Sequence, residues 1–451
     1  MVSVKNIPFG KMSMHSKINA SQLIKRFDVR FYFAEEDDFE SWILEELKDT
    51  IVRDPNCYGF KYSRIGIPII RISDMKQPFV DYSRVAYISD DVHNTFKKTQ
   101  LLPFDILISV RGMSTGKVSI FLGEFTQANI SPNIIIVRLK DTSISCYVAM
   151  TLISEVGQKQ IKRFFSGGGK PSLTAPMVNQ IQIPKPTKEK LIQVNKLFDE
   201  ASKKRKDGKN ILEKINSIFF KEFEEFRVEK TIASTRKKND LCERWDPHYH
   251  NEGFRKLRKF LSKRDVSSKN IEHYGKEAPT FTEEVDKKKV VEYIEIGSVN
   301  NLTGIIDDSV IDYPEKLPKS SKALVVHGDV LISKVRPYLN SNSIVVNESE
   351  SLVSFASKNG FVIFRTSATN YKYYIAAFIR NELGLAQIEM YQSGTSYPTV
   401  SSDDVKKLRV LETSAENMNI INALYEDYVR IKTIEEFSTK AILDIIENEE
   451  I

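Results

Sequence analysis

The sequence predicts an α+β protein built from two related mixed α/β domains, each followed by a long helix. The first observation is an internal repeat, because Arg26-Phe27-Asp28 recurs as Arg244-Trp245-Asp246 and Tyr147 recurs as Tyr374. The second is a series of short Ile- and Val-rich runs in each half, separated by Gly, Asp, Asn and Pro. The third is a long stretch with helical spacing of apolar residues at the end of each half.

The repeat is long and keeps its order. Phe104-Asp105-Ile106-Leu107-Ile108-Ser109 matches Gly328-Asp329-Val330-Leu331-Ile332-Ser333. Further along, Ser166-Gly167 matches Ser393-Gly394 and Pro171 matches Pro398, both at the offset that separates Tyr147 from Tyr374. A period of this length is too large for a solenoid, so it indicates two copies of one domain.

The first half alternates between helical and strand-like patterns. Residues 41–52 have apolar positions at helical spacing and predict a helix. Ile- and Val-rich runs predict four strands, at 68–72, 106–110, 118–122 and 134–139. Residues 147–165 predict a helix that ends at the glycine-rich loop 166–171. A strand at 181–184 then precedes a long helix predicted over 187–228.

The second half repeats this order after a polar and basic linker at 229–239. Strands are predicted at 290–299, 329–334, 342–347, 360–365 and 408–411. A helix is predicted over 371–391, followed by the loop 392–400. The second long helix is predicted over 415–447.

Each long helix has an apolar stripe that it cannot bury alone. The predicted solution is an antiparallel coiled coil, in which a helix of about 40 residues spans about 60 Å. The predicted domains are residues 1–186 and 229–412, and the predicted spacer helices are residues 187–228 and 413–451. Antiparallel packing would place one domain at each end of the helix pair.

Composition is that of an ordinary globular protein, with 41% hydrophobic and 28% charged residues. The net charge of +6 permits phosphate binding without requiring it. No long uninterrupted apolar run is present and the N-terminal segment lacks the apolar core of a signal peptide, so a cytoplasmic protein is expected. The three cysteines form no motif and are expected to be free thiols.

Catalytic motifs are missing from the sequence. There is no Asn- or Asp-Pro-Pro-aromatic tetrapeptide and no dinucleotide-binding loop. Gly167-Gly168-Gly169-Lys170 lacks the spacing and the strand–loop–helix context of a phosphate-binding loop. His248 and His250 have no partner at zinc spacing. We therefore expect no catalytic residue, no metal and no cofactor bound by this chain.

The order of the repeated motifs resembles one known family. It runs from Gly66-Ile67-Pro68-Ile69-Ile70-Arg71 through Asp105-Ile106-Leu107-Ile108-Ser109 and the Ser-Gly loop to Ile183-Pro184-Lys185-Pro186. This order, present twice, resembles the DNA specificity (S) subunit of type I restriction–modification systems, from about residue 20 onward. The second copy departs from it, since Val410-Leu411-Glu412-Thr413 lacks both prolines.

The resemblance implies two target-recognition domains that each bind one half of a bipartite, asymmetric DNA sequence. It implies a non-catalytic subunit that holds DNA adenine methyltransferase (M) subunits, whose methyl donor is S-adenosylmethionine. Motor-nuclease restriction (R) subunits are a further implied partner. Similar S proteins serve type IIB enzymes and other methylation-linked phage-defence systems, and these remain alternatives.

Base contacts are expected from polar loop residues in each domain. The candidates are Arg64, Arg71, Arg111, Lys117 and Lys170 in the first copy and Lys334, Arg336, Tyr338 and Asn340 in the second. Any of them could instead contact phosphate or lie on a solvated face. Arg71 could form an ion pair with Asp74. We interpret Arg26–Asp28 and Arg244–Asp246 as structural pairs.

Two other functions stay open at this point. One is a stand-alone DNA-modifying enzyme, a divergent methyltransferase or nuclease. The other is a structural protein that uses its coiled coil to hold protein partners without DNA. The basic run 203–206 is expected on a solvated helix face, or in contact with phosphates of the DNA between two half-sites.

Overall fold

The fold is described from a computed structural model. It describes residues 40–63, 65–165, 171–223, 244, 246–263, 268–282, 286–318, 320–346, 352–366, 369–394 and 396–448. The linker predicted at 229–239 lies outside these residues. Two compact units divide the chain: unit 1 comprises residues 1–200 and 438–451, and unit 2 comprises residues 201–437.

Unit 1 begins with short strands and ends in helices. Its strands are β1 (Ser41–Ile43), β2 (Lys48–Val52), β3 (Ile67–Ile70), β4 (Met75–Lys76), β5 (Phe79–Val80), β6 (Ala86–Ile88), β7 (Ile106–Ser109), β8 (Val118–Ile120), β9 (Asn129–Ile130), β10 (Ile134–Leu139) and β11 (Gln182–Pro184). Its helices are α1 (Leu44–Leu47), α2 (Asp90–Thr95), α3 (Ser145–Ile153), α4 (Glu155–Arg163) and α5 (Ala175–Asn179). The long helix α6 (Lys188–Glu222) begins in unit 1 and its residues from 201 belong to unit 2.

Three sheets form in unit 1. The largest has the order β2-β10-β7-β8-β5-β4, the second β6-β3-β9, and the third pairs β1 with β11. Strands β3 and β9 are parallel, whereas β7 pairs antiparallel with both β8 and β10. The central strand β7 ends at Ser109, where the chain leaves the sheet in a loop.

Unit 2 repeats this element order. Its strands are β12 (Ser268–Asn270), β13 (Gly275–Glu277), β14 (Val291–Ile294), β15 (Val310–Asp312), β16 (Lys322–Val325), β17 (Val330–Ser333), β18 (Ser343–Ile344), β19 (Ser354–Ser357), β20 (Phe361–Thr366) and β21 (Arg409–Leu411). Its helices are α7 (Glu252–Lys263), α8 (Lys372–Arg380), α9 (Glu382–Tyr391) and α10 (Ser402–Lys406). The second long helix, α11 (Ala415–Glu447), follows.

The sheets of unit 2 keep the core pairings of unit 1 but differ in strand number. Their orders are β13-β20-β17-β18, β15-β14-β19-β16 and β12-β21. Strands β14 and β19 are parallel, as β3 and β9 are. Ser41 pairs with Pro184 and Ser268 pairs with Leu411, so the same register occurs at equivalent positions of the two copies. The predicted fold class, a tandem repeat of mixed α/β domains with long helices, is confirmed.

The helix predicted over 41–52 is wrong. Only Leu44–Leu47 is helical, and the residues on both sides are strands. Trp42 pairs with Ile183, and β2 pairs with β10. Backbone pairing with distant strands outweighs a local helical pattern here. The helices predicted over 147–165 and 371–391 each divide into two, where Ser154 and Asn381 act as N-caps.

The central sheet of unit 2 is covered on both faces. Leu331 of β17 packs into a cluster with Ile294 and Phe361, beneath the second sheet. Its neighbours Val330 and Ile332 belong to the cluster that contains the apolar residues of α8 and α9. Successive strand residues point to opposite faces, so this strand is apolar throughout.

A buried aspartate precedes the central strand in both units. Asp105 is 1% exposed and its carboxylate accepts two hydrogen bonds from Arg138 of β10, at 2.6 and 2.7 Å. Asp329, also 1% exposed, accepts from Arg365 of β20 at 2.9 and 3.1 Å. Each aspartate also accepts a hydrogen bond from a backbone N–H just before it in the chain, that of Leu102 or Val326. The two pairs fix the central strand to its neighbour in the same way.

A buried tyrosine joins a helix to the last strand of each copy. The Tyr147 hydroxyl donates to the Pro184 carbonyl at 3.0 Å, and the Tyr374 hydroxyl donates to the Leu411 carbonyl at 2.6 Å. Burial raises the pKa of Tyr374 above its ordinary value. The contact attaches α3 in unit 1 and α8 in unit 2 to the last strand of the copy, directly before the long helix.

The long helices pack against each other within unit 2, and the packing is antiparallel. The Asn417 amide donates to Glu222 at 2.7 Å, and Arg205 lies 3.8 Å from Glu435. Ile215 and Phe219 share an apolar cluster with Ile421, Tyr425 and Tyr428. The end of α6 therefore meets the start of α11, as predicted for this helix pair.

Charged residues are buried where the two helices pack. Lys432 and Glu435 are each 5% exposed and hydrogen bond to each other, and Arg205 lies beside Glu435. Burial lowers the pKa of Lys432, although Glu435 opposes this shift. The expected solvated face at 203–206 is thus wrong for Arg205, whose side chain is directed into the helix interface. No helix among the described residues is long and apolar enough to cross a membrane.

We predict that Asp329→Asn lowers the free energy of unfolding by about 2 kcal/mol, because the ion pair with Arg365 is lost at a buried carboxylate position. Urea-induced unfolding followed by circular dichroism measures this. Asp312→Asn is the control, since Asp312 pairs with Lys316 on the surface. Equal effects of the two substitutions would contradict the prediction.

Candidate nucleic-acid interface

Two loops meet at the end of the central strand of unit 1. The loop 110–117 follows β7, and Arg111 pairs with Ser172 in an isolated β-bridge. The Leu173 N–H donates to the Val110 carbonyl at 3.1 Å. We call this pair of segments, residues 110–117 and 171–173, recognition platform 1.

Hydrogen bonds hold the platform 1 loop in shape. Ser109 donates from its hydroxyl to the Ser114 carbonyl and accepts the Lys117 N–H at 2.9 Å. The Thr115 hydroxyl lies 2.7 Å from the Gly112 carbonyl and 2.9 Å from the Pro171 carbonyl. The loop is therefore fixed to the second segment while its tip stays exposed.

Unit 2 contains the equivalent pair of loops. Val335 pairs with Thr399 in an isolated bridge, and the Val400 N–H donates to the Lys334 carbonyl at 2.8 Å. The Arg336 N–H donates to the Pro398 carbonyl, also at 2.8 Å. We call residues 334–342, 393–394 and 396–400 recognition platform 2. Both platforms begin one residue after a matching strand, so the repeat places them at the same edge of the fold.

The platform 2 loop has unusual backbone geometry. Arg336 and Asn340 have φ angles of 44° and 58°, and both lie in the left-handed region. They flank the 3₁₀ turn Pro337–Leu339. A side-chain-bearing residue in this region costs about 1–3 kcal/mol, and the position before a proline disfavours it further. Surrounding contacts must hold the loop in place.

Arg380 provides those contacts. Its guanidinium donates to the carbonyls of Asn340 and Asn342 at 2.8 and 2.6 Å, and to those of Asn301 and Leu302 at 3.2 and 3.0 Å. The Asn340 amide donates back to the Arg380 carbonyl at 3.1 Å. A Cβ on Gly304 would lie 2.5 Å from this guanidinium, so the neighbouring loop requires glycine there. One side chain thus ties two loops to the end of α8.

Both platforms expose cationic and apolar side chains together with serines. Arg111 is exposed beside Arg53, and its charge adds to burial in lowering the pKa of Arg53. Lys117 is half-buried, and burial followed by the charge of Lys76 lowers its pKa. On platform 2 the Arg336 guanidinium lies 5.2 Å from the centre of the exposed Tyr397 ring. These cations attract a negatively charged partner such as phosphate or a base edge.

The predicted contact residues differ in how far their side chains are already engaged. Arg71 makes two 2.9 Å hydrogen bonds to buried Asp74 and a third, of 2.6 Å, to the Arg84 carbonyl. Lys334 donates to the Lys358 carbonyl at 3.2 Å, and Asn340 is engaged with Arg380. Tyr338 is 44% exposed. Arg64 and Lys170 lie outside the described residues.

One residue of platform 2, and one residue that holds its loop, were not identified from the sequence. Tyr397 is 58% exposed and is the repeat counterpart of the predicted candidate Lys170, so the repeat itself could have identified it. Arg380 lies at the end of a helix, and its repeat counterpart is Ile153. No sequence signal marks Arg380, because its partners are backbone carbonyls.

The two histidines and the Arg–Asp pair considered in the sequence make structural contacts. Among the described residues, no three His, Cys, Asp or Glu side chains are grouped to hold a metal ion. The His248 ring lies 2.7 Å from the Glu389 carbonyl, and the His250 ring lies 2.5 Å from the Arg244 carbonyl. Arg244 forms the predicted pair with Asp246 at 2.7 Å. The matching pair Arg26–Asp28 lies outside the described residues.

The fold and the platforms define the class: a tandem-repeat protein whose two related units each present a pair of loops beside the central strand. The chain is similar to the putative type I restriction enzyme MjaX specificity subunit of Methanocaldococcus jannaschii, with 25% identity over 167 residues. The match covers 36% of this chain and 39% of the length of that relative. The resemblance to type I specificity subunits is thereby confirmed.

Solved structures also match over most of the chain. The S subunit of a type I restriction–modification system from M. genitalium shares 12% identity, covering 92% of this chain and 98% of its own, with a TM-score of 0.42. The HsdS subunit of Thermoanaerobacter tengcongensis shares 11% identity over 92% and 98%, with a TM-score of 0.30. No family model matches the chain.

We predict that Arg380→Met accelerates amide hydrogen exchange of Leu339 and Asn340, because the loop loses the donor that holds its strained backbone. Hydrogen-exchange mass spectrometry of residues 334–342 measures this. Arg430→Met is the control, since Arg430 pairs only with Asp427 on the helix surface among the described residues. Unchanged exchange in Arg380→Met would contradict the assignment.

Proposed function

We propose that this chain is the non-catalytic DNA sequence-specificity subunit of a type I or type I-like restriction–modification complex. Each unit contributes one recognition platform, and each platform binds one half of a bipartite DNA target. The observation that carries the proposal is the recurrence of one loop pair, at the same strand edge, with different exposed side chains. Two copies of one scaffold with different contact residues suit two different half-sites.

The partition of roles follows from the repeat. We propose residues 1–186 and 229–412 as the target-recognition domains, and residues 187–228 and 413–451 as the spacer between them. Arg111 and Lys117 would contact DNA from platform 1, with Arg336 and Tyr338 doing so from platform 2. Arg71, Lys334 and Asn340 would act chiefly by holding their loops, since their polar groups already have protein partners.

We propose partners of three kinds. The substrate is double-stranded DNA, and the methyl transfer would be carried out by DNA adenine methyltransferase subunits that bind S-adenosylmethionine. Motor-nuclease subunits would join through the same assembly. The antiparallel part of the helix pair in unit 2 supports a spacer role, because a packed helix pair keeps its length.

The proposal predicts the form of the DNA target. The chain, purified with the adenine methyltransferase subunit from its own gene neighbourhood, should select from random DNA two short constant blocks separated by a spacer of fixed length and free sequence. High-throughput sequencing of the bound fraction measures this. Methyl transfer from labelled S-adenosylmethionine should require both proteins.

Two outcomes would contradict the proposal. Methyl transfer or cleavage by this chain alone would make it an enzyme. Failure of the complex to enrich any sequence would favour a structural protein. A complex whose platform 1 carries both Arg111→Ala and Lys117→Ala is the internal control, because it should lose preference in one block and keep the other.

A further inference from the structure

Arg336 lies on platform 2 with its guanidinium against the Tyr397 ring. Its side chain is exposed, and within the described part of the chain no carboxylate lies within ion-pair distance of it. Arg71 and Arg365, which lie outside both platforms, instead each donate two hydrogen bonds to a buried aspartate. Arg336 therefore keeps the full set of guanidinium donors available for a ligand.

The direction of the Arg336 side chain is set from two sides. Its backbone lies in the left-handed region although Pro337 follows, and its N–H donates a hydrogen bond to the Pro398 carbonyl. Its guanidinium lies over the Tyr397 ring at 5.2 Å. A guanidinium over an aromatic ring is attracted to the ring face and loses little further freedom on binding.

Arg380 holds the loop that carries Arg336 through carbonyls further along it. Arg380 joins the loop at Asn340 and Asn342 to the loop at Asn301 and Leu302. The second loop is in turn bound to the long helix α11, since the Tyr428 hydroxyl donates to the Thr303 carbonyl at 3.0 Å. A chain of direct contacts thus fixes the position of Arg336 relative to the spacer helix within unit 2.

A phosphate contact does not need this arrangement. Phosphates are recognised by charge, and flexible Lys or Arg side chains suffice for them. A fixed and free guanidinium fork instead matches the O6 and N7 acceptors of guanine in the major groove, the commonest specific contact of arginine. The strained backbone and the aromatic support are explained if the orientation of the fork matters.

We infer that Arg336 is the specificity-determining residue of unit 2 for one guanine of its half-site, with Tyr397 and Arg380 as positioning residues. This inference rests on the proposed function. Tyr397 orients the fork directly, whereas Arg380 acts through the loop backbone.

The test compares selected DNA sequences for the complex with the adenine methyltransferase subunit, carrying either wild-type chain or Arg336→Ala. The variant should lose the preference for guanine at one position of one block by roughly 10- to 100-fold and leave the other block unchanged. Arg111→Ala, which removes an exposed arginine from platform 1, is the matched control and should leave that guanine preference intact.

Salt dependence separates a base contact from a phosphate contact. If Arg336 bound phosphate, Arg336→Ala would weaken binding to all sequences alike and reduce the slope of log affinity against log salt by about 1. That result would overturn the inference. Arg336→Lys should keep part of the guanine preference that Arg336→Ala loses, because an ammonium group can also donate to O6 and N7 but lacks the rigid planar fork.

The positioning roles of Tyr397 and Arg380 are tested separately. Tyr397→Ala should weaken the guanine preference while Tyr397→Phe keeps it, since the ring and not the hydroxyl supports the guanidinium. Arg380→Met should weaken the same preference, and should have no further effect on it in the Arg336→Ala background. If the effects of Arg380→Met and Arg336→Ala on the guanine preference were additive, Arg380 would not act through Arg336.

The failure of this inference is distinct from the failure of the proposed function. If wild-type complex selects no DNA sequence, the proposed function is wrong. If wild-type complex selects two blocks and Arg336→Ala retains every base preference, the function stands and only the role of Arg336 is wrong.

Discussion

The need to neutralise a buried carboxylate organises each unit. Asp105 and Asp329 lie in the core, at the start of the central strand, and an uncompensated charge there would be too costly to bury. Arg138 and Arg365, on the neighbouring strand, supply the compensating positive charge. The pair fixes one end of the strand to its neighbour, and the recognition loop leaves from the other end. The position of each platform therefore depends on a salt bridge at the far end of the same strand.

Much of the fold could be predicted from the sequence, because the two copies of the repeat can be compared with each other. The Asp-Ile-Leu-Ile-Ser run, the repeated tyrosine and the paired long helices are all found where the repeat places them. The segment 41–52 was not predictable, because its apolar spacing fits a helix while its backbone pairs with β10 and β11. The strands that decide its conformation lie far along the chain, beyond the reach of a local pattern.

Less of the candidate site could be predicted from the sequence, for a physical reason. Residue type indicates which side chains can contact DNA, but not which ones are already bound within the protein. Arg71 and Arg336 are both arginines beside strands, yet one is held by Asp74 and the other by an aromatic ring alone among the described residues. Arg380 is missed altogether because its carbonyl partners belong to the backbone. Such a partner has no signature in the sequence.

The same kind of contact recurs in the framework. Tyr147 and Tyr374 donate to the carbonyls of Pro184 and Leu411, two residues with different side chains. Arg138 and Arg365 likewise each donate to a backbone carbonyl besides their aspartate. An acceptor that every amino acid possesses places no condition on which amino acid supplies it. These hydrogen bonds therefore leave the identity of the acceptor residue open, while the donor residue itself must be kept.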